Sequence, residues 1–159
     1  MNTGARCQSS SWPGYCAAVW AFLFALPSFY WAAGGEAGSG TIAAEIDEVT
    51  GGQAWLVALT GVFKVAAGLL TLALVQPWGL RLPRGPLLAT VWLVGVGFTL
   101  YGLLNFLDHL LMVSGLRETP EALGETAARW HLLFWDPWWL LGGALFSLAT
   151  WRYQRRSRP

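Results

Sequence analysis

Three side chains that can exchange protons lie within or beside apolar stretches of this sequence: Asp108, His109 and Asp136. Carboxyl and imidazole groups are the side chains that most often serve as general acid and general base. Asp108 and His109 are adjacent, and Asp136 precedes Pro137 in a tryptophan-rich run. The sequence therefore makes these three residues candidate proton donors or acceptors of a catalytic site.

Further polar and aromatic residues share these stretches. Tyr101, Asn105 and Asp108 are separated by four and three residues, which places them on one face of a helix. We expect the face to line a ligand-binding pocket between helices. The candidate ligand-binding residues are Lys64, Tyr101, Asn105, Glu36, His131, Trp135 and Trp138.

Several of these residues also have a purely structural interpretation. Lys64 and one aspartate can form an ion pair that only fixes helix packing. Asp136, directly before Pro137, is well placed as a helix N-cap. His131 can be a solvated residue at the membrane interface, and the tryptophans around Trp138 can serve packing alone.

The composition indicates that the chain is surrounded mainly by lipid. Of its 159 residues, 55% are hydrophobic and only 12% are charged, too few to cover a soluble domain. We therefore expect the lipid bilayer to be its main partner. With 10 basic and 9 acidic residues, the chain also lacks the positive stripe that binds phosphate backbones, which excludes a nucleic-acid-binding protein.

Four apolar stretches approach the roughly 20 residues with which an α-helix crosses a bilayer. They cover about 14–33, 53–75, 87–113 and 130–151. Pro137 is expected to kink the fourth helix or to start it afresh at Asp136. The sequence therefore predicts an all-α polytopic membrane protein, a four-transmembrane-helix bundle forming one domain over residues 1–159.

The distribution of charge predicts the orientation in the membrane. Arginines flank one set of helix ends: Arg6, Arg81, Arg84, Arg152, Arg155, Arg156 and Arg158. Acidic residues occupy the opposite loops: Glu36, Glu45, Asp47, Glu48, Glu118, Glu121 and Glu125. Because positive residues stay inside, we predict a cell-membrane protein with both termini cytoplasmic and a pocket that opens outward.

Lys64 stands at the middle of the second stretch, where a charge costs at least ~2.5 kcal/mol. At ~1.5 Å per residue, Asp136 lies about 7 Å and Asp108 about 12 Å outward of their helix midpoints. Side chains lean towards the helix N-terminus, which brings the three depths closer together. We therefore predict that Lys64 pairs with Asp136 or Asp108.

Known metal and cofactor motifs are missing from the sequence. Cys7 and Cys16 are nine residues apart and have no third or fourth cysteine partner, which argues against a zinc site and a disulfide. The sequence contains no nucleophile elbow, no glycine-rich phosphate loop, no H-E-x-x-H and no haem-attachment motif. We expect neither a metal nor a cofactor.

Three motifs carry a resemblance to a known family. They are Trp-Ala-Ala-Gly-Gly at 31–35, Gln-Pro-Trp-Gly at 76–79 followed by Leu82 and Pro83, and Trp-Asp-Pro-Trp-Trp-Leu-Leu-Gly-Gly at 135–143. With these motifs the chain resembles an uncharacterised actinobacterial family of small four-helix integral membrane proteins, defined only as a domain of unknown function. The resemblance implies the fold and the membrane location, and it assigns no reaction to any residue.

Two classes of function fit these patterns. The first is a multi-pass membrane protein that binds a lipophilic small molecule in an outward-facing intramembrane polar pocket, or that supports a homo-oligomer or membrane complex. The alternative is a membrane-embedded acid/base enzyme of the isomerase or cyclase type, acting on an isoprenoid or another lipid. An enzyme requires a carboxylate that a substrate can reach.

Overall fold

The computed structural model describes residues 11–38, 41, 53–121 and 123–156. The helices α1 (Trp12–Ala32), α2 (Ala54–Ala73) and α3 (Arg84–Val113) form the first three spans, and a 3-10 turn (Pro77–Arg81) joins α2 to α3. The fourth span consists of α4 (Gly124–Trp130), a π-helical turn (His131–Trp135) and α5 (Asp136–Arg156), which follow one another without a break.

The prediction of an all-α chain with four membrane-spanning helices is confirmed. Each of the four spans is long and apolar enough to cross a bilayer, and the described part of the chain contains no strand. The 30 residues of α3 extend about 45 Å, more than the roughly 30 Å of a hydrocarbon core. The end of α3 that carries Asp108 therefore has room to leave the apolar layer.

The helices pack as two pairs, α1 with α2 and α3 with α5, and α1 also lies against α5. Glycines bring the backbones of α3 and α5 together. A Cβ atom on Gly102 would lie 3.0 Å from the Leu140 nitrogen, and one on Gly143 would lie 2.6 Å from the Thr99 nitrogen. Because lipid supplies no hydrophobic force between helices, such close backbone contact is the main source of association.

Aromatic rings fill the space where α1, α3 and α5 meet. Trp20 of α1 is only 3% exposed, and its ring is 5.6 Å from Phe98, 5.9 Å from Trp138 and 6.1 Å from Phe146. Phe24, one turn further along α1, contacts the Trp139 ring edge-on at 4.7 Å. These tryptophans pack against other rings of the core, which agrees with the packing interpretation of the tryptophan-rich run.

Pro137 explains the π-helical turn before α5. It has no N–H to donate, and its ring would collide with the carbonyl of Leu133 in a regular helix. The helix widens there, and the Asp136 N–H donates to the His131 carbonyl five residues earlier. The regular helix α5 begins at Asp136, where the sequence predicts a fresh start, but Asp136 itself has helical angles (φ −68°, ψ −45°) inside a continuous span, so the N-cap interpretation is wrong.

We expect Gly143→Ala to lower the unfolding temperature in detergent micelles, because its Cβ would press on the Thr99 nitrogen and, at 2.9 Å, on the Gly95 carbonyl. Overpacking of this kind typically costs about 1–3 kcal/mol. Gly97→Ala is the matched control, since a Cβ at Gly97 meets nothing within 4 Å. An unfolding temperature of Gly143→Ala equal to that of the control would contradict the close contact between α3 and α5.

Candidate functional site

A buried hydrogen bond joins α3 to the fourth span. Nδ1 of His109 lies 2.8 Å from Oδ2 of Asp136, and the two residues are 4% and 1% exposed. Both side chains belong to helices long and apolar enough to cross a membrane. A buried carboxylate is tolerated only where it finds a charged or hydrogen-bonding partner, and His109 provides one.

His131 completes a cluster with this pair. Its Nδ1 lies 3.9 Å from Oδ1 of Asp136, and its ring stacks on the His109 ring with centroids 4.8 Å apart. His131 is 3% exposed, so the predicted position at a solvated interface is wrong. Each oxygen of the Asp136 carboxylate therefore faces one imidazole nitrogen.

The π-helical turn explains how His131 and Asp136 come to the same face. Residues five apart in a regular α-helix point about 140° away from each other. The bond from the Asp136 N–H to the His131 carbonyl spans five residues, so one widened turn separates the two side chains. π-Helical turns are rare, and they occur frequently at functional sites.

The cluster is also a donor set that a metal ion can bind. His109, His131 and Asp136 each offer one ligand atom, and these three atoms lie within 4.8 Å of one another. The sequence does not reveal this set, because its members are spread over two helices with no recognised motif spacing. Its one signal is that each residue is ionisable and lies in an apolar stretch, where a charged side chain is energetically costly.

Lys64 pairs with neither Asp108 nor Asp136, so the prediction of that ion pair is wrong. Its Nζ donates to Oγ of Ser28 at 2.8 Å and lies 3.9 Å from the centroid of the Phe24 ring. Asp136 is engaged by His109 instead. No carboxylate among the described residues forms an ion pair with Lys64. The ammonium group is therefore held by a hydroxyl and by aromatic faces.

Asp108 forms an ion pair with Arg117 just beyond the end of α3. Its side chain is 38% exposed, whereas the adjacent His109 is buried. Neighbours in a helix point about 100° apart, so one faces the bundle while the other does not. The structure therefore separates Asp108 from the His109–Asp136 pair.

Tyr101, Asn105 and Glu36 lie outside the cluster. Tyr101 contacts the edge of the Trp139 ring at 4.9 Å, and its exposed side chain is on the outer surface of α3. Nδ2 of Asn105 donates to the Tyr101 carbonyl at 2.9 Å, a bond within its own helix. Glu36 is exposed in the segment that follows α1.

The two predicted tryptophans have packing partners. Trp135 stacks on Phe24 with ring centroids 6.1 Å apart, and its Nε1 donates to Oγ1 of Thr41 at 3.3 Å. Trp138 stacks on Trp20 at 5.9 Å. Among the predicted site residues, the structure therefore brings together only His109, His131 and Asp136 in one polar cluster.

A groove of about 170 Å³ opens between the end of α3 and α4. It is lined by Met112, Val113, Gly115, Thr119, Glu125, Ala128 and Arg129. Met112 and Ala128 lie three residues from His109 and His131, one helical turn along the same faces. The groove therefore begins about one turn from the histidine–aspartate cluster.

We expect Lys64→Met to raise the unfolding temperature in micelles, because a lone charge at the centre of a span costs at least about 2.5 kcal/mol. Ser28 keeps a partner in this variant, since Oγ1 of Thr60 lies 3.3 Å from its hydroxyl. Arg117→Met removes an exposed cation and is the matched control, with an expected change within about 0.5 kcal/mol. A clear loss of stability in Lys64→Met would show that the cation is a structural element.

The comparisons with known proteins give one match. The family model described as "Protein of unknown function (DUF3995)" matches residues 21–146. No curated protein and no solved structure matches the chain. The match includes all three residues of the histidine–aspartate cluster and assigns them no role. Because it spans most of the chain, the protein belongs to the DUF3995 family, whose function is unknown.

Proposed function

We propose that this protein is a multi-pass cell-membrane protein that binds a small, largely apolar molecule with one polar group, recognised by His109 and Asp136. The observation that carries the proposal is their buried 2.8 Å hydrogen bond within two membrane-spanning helices. Glycine contacts such as those at Gly102 and Gly143 already hold α3 against α5. The ionisable pair is therefore not needed to join the helices.

The surroundings of the pair support a ligand of mixed character. The groove has apolar walls at Met112, Val113 and Ala128, and it carries a Glu125–Arg129 ion pair of 3.7 Å at its rim. Its volume of about 170 Å³ is below the range of about 300–1,000 Å³ typical of drug-sized ligands. The groove accommodates the polar end of the molecule, and the apolar remainder extends along α3 and α4 into lipid.

Contact with lipid is supported by the outer faces of the spans. Large apolar side chains there remain exposed in the monomer, including Phe63 at 67% and Leu133 at 77%. A soluble protein rarely exposes contiguous apolar surface on this scale. The same faces are available to a second copy or to another membrane protein, so a role in a membrane complex remains compatible with the proposal.

Acid/base catalysis is the second candidate function, and the orientation of His109 favours it. Asp136 engages Nδ1, which fixes the ring and leaves Nε2 as the nitrogen that exchanges a proton with a substrate. In this scheme His109 is the catalytic base or acid, and Asp136, which is 1% exposed, positions it and is not itself reached by a substrate. Asp108 has no part, because it pairs with Arg117 away from the cluster.

We also propose that both termini are cytoplasmic and that the groove faces outward. The arginines at one end of the bundle pack on aromatic rings typical of a membrane interface: Arg152 lies 5.3 Å from Trp12, and Arg155 lies 4.1 Å from Trp151. The opposite loop, between α3 and α4, contains Glu118 and Glu121. This asymmetry follows the positive-inside rule.

Mass spectrometry of molecules that co-purify with the protein tests the ligand. We expect a molecule enriched with wild-type protein and depleted at least about tenfold with Asp136→Asn, since the carboxylate that orients His109 is gone. Asp108→Asn is the matched control: it is the same substitution at an exposed site, and it should keep the wild-type profile.

Folding of each variant is checked by helical circular dichroism and size-exclusion chromatography. Should Asp136→Asn fail to fold, His109→Gln serves as the second variant. Identical co-purifying molecules in folded wild type and in either folded site variant would refute the ligand proposal.

Reporter fusions test the orientation. Green fluorescent protein fused after the C-terminal arginines should fluoresce, and alkaline phosphatase at the same place should be inactive. Phosphatase inserted after Gly115, in the loop between α3 and α4, should be active. The reverse pattern would overturn the assignment of the groove to the outer side.

A further inference from the structure

We infer that His109, His131 and Asp136 bind one divalent transition-metal ion. The inference rests on the proposed function, because it concerns the same site, and it names the chemistry by which that site would hold its ligand. The three residues provide two imidazole nitrogens and one carboxylate, and all are at most 4% exposed. Two histidines with one carboxylate are a common ligand set of catalytic zinc and non-haem iron.

The interatomic distances already approach those of a coordination sphere. Metal–ligand bonds of about 2.0–2.2 Å place the ligand atoms of one ion about 3–4 Å apart. Asp136 oxygens lie 2.8 Å and 3.9 Å from Nδ1 of His109 and His131, and the three ligand atoms all fall within 4.8 Å. Small side-chain rotations are enough to bring all three atoms to one ion.

The carboxylate charge of the cluster also favours binding of a divalent cation. The site has one carboxylate and two imidazoles that each direct Nδ1 at it, with the rings stacked 4.8 Å apart. A single divalent cation bound to both rings would balance the charge of Asp136 and take the place of the hydrogen bond between His109 and Asp136.

The local backbone supports the same assignment. The π-helical turn, which accommodates Pro137, is what brings His131 and Asp136 to one face. Nitrogen donors select against Mg²⁺ and Ca²⁺, which prefer oxygen ligands throughout. Three protein ligands would leave at least one coordination position open for a further ligand.

Titration of the wild-type protein tests the inference. The protein is purified without a histidine tag, treated with a chelator and titrated in detergent with Co²⁺, whose visible absorption reports coordination by nitrogen and oxygen. We expect saturation at one Co²⁺ per chain and full displacement by Zn²⁺. The absence of saturable binding would overturn the inference, whatever the variants do.

Variants locate the ion. His131→Gln and Asp136→Asn should each weaken Co²⁺ binding at least about tenfold, since each loses a ligand. Asp108→Asn should bind as wild type does, because Asp108 lies outside the cluster. Unchanged affinity in either folded site variant would place the ion elsewhere and overturn the assignment. Should one variant not fold, the other still decides.

The Co²⁺ titration tests the metal site independently of the mass spectrometry that tests the ligand. Saturable Co²⁺ binding without any co-purifying molecule would refute the proposed function and leave the metal site. A molecule that depends on Asp136, in a protein that binds no metal, would refute the metal site alone.

Discussion

The structure depends on one constraint, the absence of water around the membrane-spanning helices. An ionisable or backbone group that would be hydrated in a soluble protein must find its partner inside this bundle. His109 and Asp136 meet this requirement with each other across the contact between α3 and α5. Lys64 meets it with a serine hydroxyl and the face of Phe24. Around Pro137 the backbone satisfies this requirement with a π-helical turn, in which the Asp136 N–H donates to the His131 carbonyl.

Within this constraint, α3 and α5 have two kinds of contact with different roles. Glycines and aromatic rings, such as Gly143 and Trp139, provide close van der Waals contact throughout the middle of the bundle. The histidine–aspartate cluster is confined to one end, and the groove begins one turn from it. The two kinds of contact meet at Asp136, whose carbonyl would lie 3.2 Å from a Cβ on Gly102.

The spans could be predicted from the sequence because their signal is one-dimensional: about twenty apolar residues suffice to identify a helix that crosses a bilayer. The pairing of side chains could not be predicted in this way, since it depends on how each helix is rotated about its axis. Asp108 and His109 are neighbours in sequence, yet one reaches Arg117 and the other Asp136. The prediction for Lys64 used only the depth of each residue along its helix and not the rotation of the helices, and it therefore named the wrong partners.

The π-helical turn has a consequence for how the site can change. A π turn contains one residue more than the α turn it replaces, so it takes up the extra residue between α4 and α5. Loss of one residue between His131 and Asp136 would leave the two side chains four residues apart, about 40° from each other in a regular helix, so His131 would stay on the face of the carboxylate. The aromatic contacts of Trp138 and Phe146 would keep their register. Loss of one residue in this turn therefore shortens the fourth span and keeps His131 and Asp136 on one face, so the cluster can tolerate a change in helix length that a regular five-residue spacing could not.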